Sequence, residues 1–132
     1  MTNNIEKSNK PGKKGLLRIW HAFLYSLSGL RTALKNEIAF RQELFAFVIL
    51  TVIAIILPVS STMKILLIVS IISVMIVELL NSAIETIVDK ISPEYSDSAK
   101  RAKDMGSSAV FLTIVCATVI WIYVLIKVFI LK

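Results

Sequence analysis

The chain has 132 residues, enough for one domain, of which 56% are apolar, with a mean hydropathy of +0.77 and a net charge of +6. That apolar share is above the range of a soluble domain. One cysteine, Cys116, and one histidine, His21, argue against an intrachain disulfide, a Cys/His zinc site and a Ser-His-Asp triad.

Residues 1–15 are polar and basic, with Pro11, Gly12 and Gly15, and read as a disordered arm at a membrane surface. Residues 16–35 are predicted to form an amphipathic surface helix. At about 100° per residue, Arg18, His21, Tyr25, Ser28 and Thr32 fall on one face, and Leu16, Ile19, Trp20, Phe23, Leu27, Leu30 and Leu34 on the other. Arg31 sits on the apolar side and must snorkel or find an anion. Residues 44–63, 65–77 and 105–126 carry no charge, and a span needs about 20 apolar residues. Three transmembrane helices are predicted, over about 37–58, 63–91 and 98–127. Pro58 ends the first, and Ser92-Pro93 ends the second, because proline cannot continue the hydrogen-bond ladder. Residues 16–132 then form a single integral-membrane domain.

Residues 1–43 hold eight of the fifteen Lys and Arg, and the 89–108 segment holds four more. Basic loops stay cytoplasmic. The N-terminus and the 92–98 loop are therefore placed inside, the Pro58–Lys64 turn and the C-terminus outside. No signal peptide is read, so the helices themselves are expected to target the protein. The basic residues flank the spans, where anionic lipid accounts for them without nucleic acid.

Three polar stretches carry the chemistry. Glu78, Asn81, Glu85 and Asp89 lie within about 80° of one another on a helix, a single polar stripe, with Glu78 about 10 Å deeper than Glu85. An ionised carboxylate at that depth costs about 2.5 kcal/mol or more, so the default reading is functional. The plainer reading is a neutral Glu78 in an interhelical hydrogen bond. Glu37 and Arg41 are an i, i+4 pair that alone reads as an interfacial salt bridge. Lys100, Lys103 and Asp104 share a face where the third span enters the membrane, and alone read as a charged anchor. Gly106, Ser107, Ser108 and Ala109 permit close helix packing.

The three stretches meet at one depth. Carboxylates there could hold Mg²⁺, which often bridges to phosphates, and basic residues could hold the phosphates themselves. Glu78, partly shielded from water, could take a proton from a lipid hydroxyl. That set describes phosphoryl transfer from a nucleotide to a membrane-dissolved alcohol. The P-loop and protein-kinase motifs are absent from the sequence. Two readings of another class stay open: a pore built on the stripe, and a scaffold subunit whose charges only set topology. The apolar outer halves of all three spans argue against a pore.

The motifs Gly29-Leu-Arg31, Asn36-Glu37-x-Ala-Phe-Arg41-Gln42-Glu43, Val77-Glu78-x-Leu-Asn81-Ser82-Ala83-Ile84-Glu85, Val88-Asp89 and Arg101-Ala-Lys103-Asp104-Met-Gly106-Ser107 resemble the small bacterial diacylglycerol kinases, in order from about 16 to 124. The resemblance implies a homotrimer in the bacterial inner membrane, with active sites between protomers. It implies MgATP as donor and diacylglycerol as acceptor, giving phosphatidic acid. By position, Glu78 resembles the family's general base, and Glu37 and Glu85 its metal ligands. Arg18, Tyr25, Glu37, Glu85, Glu94, Tyr95, Ser96, Lys103 and Asp104 resemble its nucleotide contacts. Arg31, Arg41, Gln42, Glu43, Glu78, Ser107 and Trp121 fall where the lipid substrate is contacted, with Asn81 and Asp89 as supporting polar residues. Leu27, Lys90, Ser92-Pro93 and Lys100 depart from the family's pattern but leave the carboxylates intact. A related branch phosphorylates undecaprenol. The Arg101–Ser107 run is closer to the diacylglycerol branch.

Overall fold

The computed structural model describes residues 15–130, which form four α-helices: α1 (Leu16–Asn36), α2 (Ile38–Ile56), α3 (Ser61–Ile91) and α4 (Asp97–Phe129). Residues 1–14 of the expected basic arm, and residues 131–132, lie outside the described residues. By contacts the chain divides into two compact units, one ending at Thr32 and the other beginning at Ala33. The boundary falls inside α1, whereas the sequence reading takes 16–132 as one domain.

In the first unit, Gly15 enters α1 with φ +73, a conformation that glycine adopts without a Cβ penalty, and Arg18 N donates to Gly15 O at 3.0 Å. From Leu16 to Thr32 every residue but the half-buried His21 is exposed. The Trp20 and Phe23 rings pack at 5.8 Å, and His21 and Tyr25 at 6.3 Å.

The second unit begins with a one-residue break. Glu37 turns to φ −101, ψ 115 between α1 and α2, yet its N–H still reaches Ala33 O at 2.8 Å. The Arg41 guanidinium donates to the carbonyls of Leu34 (3.4 Å) and Lys35 (3.2 Å). It closes the last turn of α1, where a cation suits the negative end of the helix dipole. Among the described residues Arg41 makes no ion pair with Glu37, so the expected salt bridge is corrected to this cap.

The ends of α2, α3 and α4 follow from local chemistry. Leu57 takes ψ 136 ahead of Pro58, because a residue before proline avoids the helical region. Ser60 caps α3, accepting from Met63 N at 3.4 Å, and the Lys64 ammonium donates back to Ile55 O at the end of α2. These contacts set the start of α3 at Ser61 rather than Met63. Ser96 caps α4, accepting from Ala99 N at 3.3 Å, with Asp97 in the first turn at the positive end of the dipole.

The short 57–60 and 92–96 links make α2, α3 and α4 antiparallel neighbours, with α3 packed against both others. Ala54, Leu57, Leu67, Ile71, Trp121 and Val124 form the buried core, at the Pro58 end. Most other large apolar side chains face outward, among them Phe45, Ile56, Leu80, Phe111 and Val119. In water so large an exposed apolar surface would drive association; in lipid it matches its surroundings. All three helices are long and apolar enough to cross a membrane, and the chain is a multi-pass membrane protein. At 1.5 Å per residue, α3 (31 residues) and α4 (33 residues) run about 46 and 50 Å, against about 30 Å of hydrocarbon. The surplus at the 92–96 end carries the polar residues.

Candidate active site at the polar end of α2, α3 and α4

The stripe on α3 is graded in burial. Glu78 and Asn81 are each only 7% exposed, Glu85 is half-buried and Asp89 is exposed. Burying Glu78 and Asn81 between helices takes them from lipid and water alike, so each needs an interaction inside the protein. Asn81 Nδ2 donates to Glu85 Oε1 at 3.1 Å, the i, i+4 geometry of one helix face.

α2 brings two further carboxylates. Glu37, at the α1–α2 break, and Glu85 lie within electrostatic reach of Glu78, and Glu43 lies within reach of Glu78 as well. One Glu43 oxygen, Oε2, is buried without a hydrogen-bond partner among the described residues. Four carboxylates from two helices thus share one neighbourhood. Like charges gathered there repel, and a bound cation would relieve the repulsion.

From α4, Lys103 Nζ pairs with Asp89 Oδ1 at 2.9 Å, tying α4 to the end of α3. Both line a cleft of about 380 Å³ with Glu94, Tyr95, Lys100 and Asp104, at the 92–96 link. The cleft carries cations for phosphates and, in Tyr95, an exposed ring. A second cavity of about 360 Å³ runs between α2, α3 and α4. It is mostly apolar, with Glu43 its one charged residue and Leu50, Val74, Ala117, Thr118, Trp121 and Leu125 along its length. A long groove with a carboxylate at one end has the shape of a seat for an apolar chain bearing a polar head.

The expected site residues divide accordingly. Glu37, Glu43, Glu78, Asn81 and Glu85 come together, and Asp89, Glu94, Tyr95, Ser96, Lys103 and Asp104 line or adjoin the cleft. Arg41 serves the α1 cap, and Gln42 and Ser107 are exposed. Trp121 is 9% exposed in the core, about 26 Å along α4 from Asp104, and meets the groove at its far end. Its Nε1 is buried without a hydrogen-bond partner among the described residues, as is Thr51 Oγ1. Arg18, Tyr25 and Arg31 belong to the first unit, where they are exposed. Two features escaped sequence reasoning. Thr51 is the one hydroxyl residue of α2, and Gly106, in sequence a small packing residue, stands where a Cβ would strike Asn81.

Among the described residues no group of three or more His, Cys, Asp or Glu forms a closed metal cage. Mg²⁺ does not require one: it binds through one or two carboxylates, keeps water and takes oxygens from substrate phosphates. Glu37 and Glu85, both half-buried and both in reach of Glu78, fit that pattern.

The sequence comparisons converge. The family model for prokaryotic diacylglycerol kinase matches residues 24–125. The diacylglycerol kinase of Escherichia coli K12 is 51% identical over 107 residues, covering 81% of this chain and 88% of the relative. That of Pseudomonas aeruginosa is 45% identical over 114 residues, covering 86% and 93%. The Helicobacter pylori enzyme is 38% identical over 111 residues, covering 84% and 87%.

Proposed function

The chain belongs to the prokaryotic diacylglycerol kinase family, and on that premise we propose that the carboxylates around Glu78 carry out its phosphoryl transfer. The protein is a diacylglycerol kinase, an ATP-dependent lipid kinase. The pore and scaffold readings give way to an enzyme. Of the two lipid alcohols, the family match and the relatives support diacylglycerol.

In this reading Glu78 is the general base. It takes the proton of the acceptor hydroxyl as that oxygen bonds to the γ-phosphorus. The bond from the γ-phosphorus to the β–γ bridging oxygen breaks, and ADP leaves with that oxygen. Glu78 suits the role because it is a carboxylate nearly enclosed by protein beside the proposed metal ligands Glu37 and Glu85. Glu37 and Glu85 would hold Mg²⁺, which when bound neutralises phosphate charge. Lys103, now on Asp89, would turn to phosphate in the cleft, with Glu94, Tyr95, Ser96 and Asp104 around the nucleotide. Arg18 and Tyr25 are nucleotide contacts in this reading by their place in the family's pattern alone. The groove from Glu43 to Trp121 would hold an acyl chain, with Arg31, Arg41, Gln42 and Ser107 near the lipid's polar end.

The assembly belongs to the same proposal. A homotrimer would close the sites between protomers and cover part of the outward apolar surface. The protein would lie in the bacterial cytoplasmic membrane with its N-terminus and 92–96 link inside and its C-terminus outside, as the Lys and Arg placement favours. Residues 1–15 would be a basic arm beside a single kinase domain.

The observation that carries the mechanism is a Glu78 side chain 7% exposed beside carboxylates of α2 and α3. The test of substrate is transfer from MgATP, in mixed micelles, to diacylglycerol and undecaprenol side by side. Strong transfer to diacylglycerol is expected. Transfer to undecaprenol alone would overturn the acceptor while leaving the mechanism.

A further inference from the structure

α3 and α4 approach closely at Gly106. A Cβ built there would collide with Asn81 Oδ1 and lie 3.3 Å from Asn81 Cγ. The Asn81 amide therefore occupies the space that any side chain at position 106 would need. That amide is enclosed: Asn81 is 7% exposed, its Nδ2 donates to Glu85 Oε1 at 3.1 Å, and its Oδ1 is buried without a hydrogen-bond partner among the described residues. Chemistry sets which way it faces. An ionised carboxylate only accepts, so the NH₂ group must point at Glu85 and the oxygen is left against α4. Turning the amide over would set oxygen against carboxylate. Moving it aside would break the bond to Glu85.

We propose that Gly106 is a positioning residue: by having no side chain, it seats the Asn81 amide, which in turn aims the Glu85 carboxylate. This rests on the reading of Glu85 as a metal ligand. Partners that hydrogen-bond a ligating carboxylate fix its orientation, and their loss typically costs about 10–100-fold in metal affinity. A methyl group at position 106 acts on the end of the Asn81 side chain rather than on backbone, so the amide is the part that yields. Were Gly106 only a place where helices pack closely, substitution would lower stability without singling out the metal, and its effect would not depend on residue 81.

The experiment is Mn²⁺ binding, followed by electron paramagnetic resonance, to the full chain in micelles with a non-hydrolysable ATP analogue. The variants are Gly106→Ala, Asn81→Ala, the two combined, and Glu85→Gln. Gly106→Ala and Asn81→Ala are each expected to weaken Mn²⁺ about tenfold or more. The combined variant should bind within about twofold of Asn81→Ala alone, since the methyl then has no amide to displace. If Gly106→Ala fails to fold, the combined variant should fold, because truncating Asn81 makes room; its failure as well would overturn the proposal. Wild-type binding by Gly106→Ala, or an equal loss from it in both backgrounds, would also overturn it. Unchanged Mn²⁺ affinity in Glu85→Gln would instead remove Glu85 as a ligand, and the relay with it.

Discussion

Glu78, Asn81 and Glu85 differ in burial although they share one helical face. Depth along α3 separates a shielded carboxylate from a half-open one, and so a proposed base from a proposed metal ligand. Lys103 shows a different residue-scale device. It sits at 2.9 Å from Asp89 in a cleft sized for part of a nucleotide. In the proposed reading, Asp89 keeps the Lys103 ammonium at the cleft until a phosphate competes for it. Lys103→Met is therefore expected to raise the KM for ATP about tenfold or more, the loss of a charge-assisted hydrogen bond of roughly 1.5–3 kcal/mol. Steady-state kinetics against ATP at saturating diacylglycerol would check this. An unchanged KM would place the phosphates elsewhere.

At the scale of elements, helix ends position the chemistry. The α1–α2 break at Glu37 swings a carboxylate toward α3, and Arg41 holds the last turn of α1. Ser96 starts α4 next to the cleft. Ser96→Ala removes a cap and should lower stability by about 1 kcal/mol. Thermal unfolding in detergent would register it as a lower midpoint. At the opposite end Lys64 closes α2, and Lys64→Met should cost less, about 0.3–1 kcal/mol, with activity unchanged. Much of this was legible beforehand. Uncharged runs and prolines marked three long helices, and the i, i+3, i+7, i+11 spacing marked the stripe. The Arg41 cap was not legible, because an i, i+4 pair looks the same in sequence whether the guanidinium turns to its partner or to the preceding helix. The Asn81–Gly106 contact was equally hidden, since nothing in a single helix says which residue of another will face it.

In the unit that begins at Ala33, the carboxylates gather toward the 92–96 end of the helices. The core and the outward apolar faces fill the rest, which in the proposed reading confines chemistry to the interface where a soluble nucleotide can meet a lipid hydroxyl. The proposed topology has a direct check. A cysteine at Ser60 should react with an impermeant thiol reagent from outside intact cells, and one at Ser98 only after permeabilisation, in a chain whose Cys116 has been replaced. The reverse pattern would invert the orientation. Assembly is checked by native mass spectrometry, where three copies are expected and a monomer would remove the shared site.

The central claim is that Glu78 takes the proton during transfer. It is tested most directly by the kcat of Glu78→Gln in mixed micelles, at saturating MgATP and diacylglycerol, on protein shown to be folded and of wild-type oligomeric state. A loss of about 10²–10⁴-fold is expected for removal of a general base. A kcat within about threefold of wild type, where such a base would matter by orders of magnitude, would contradict the account.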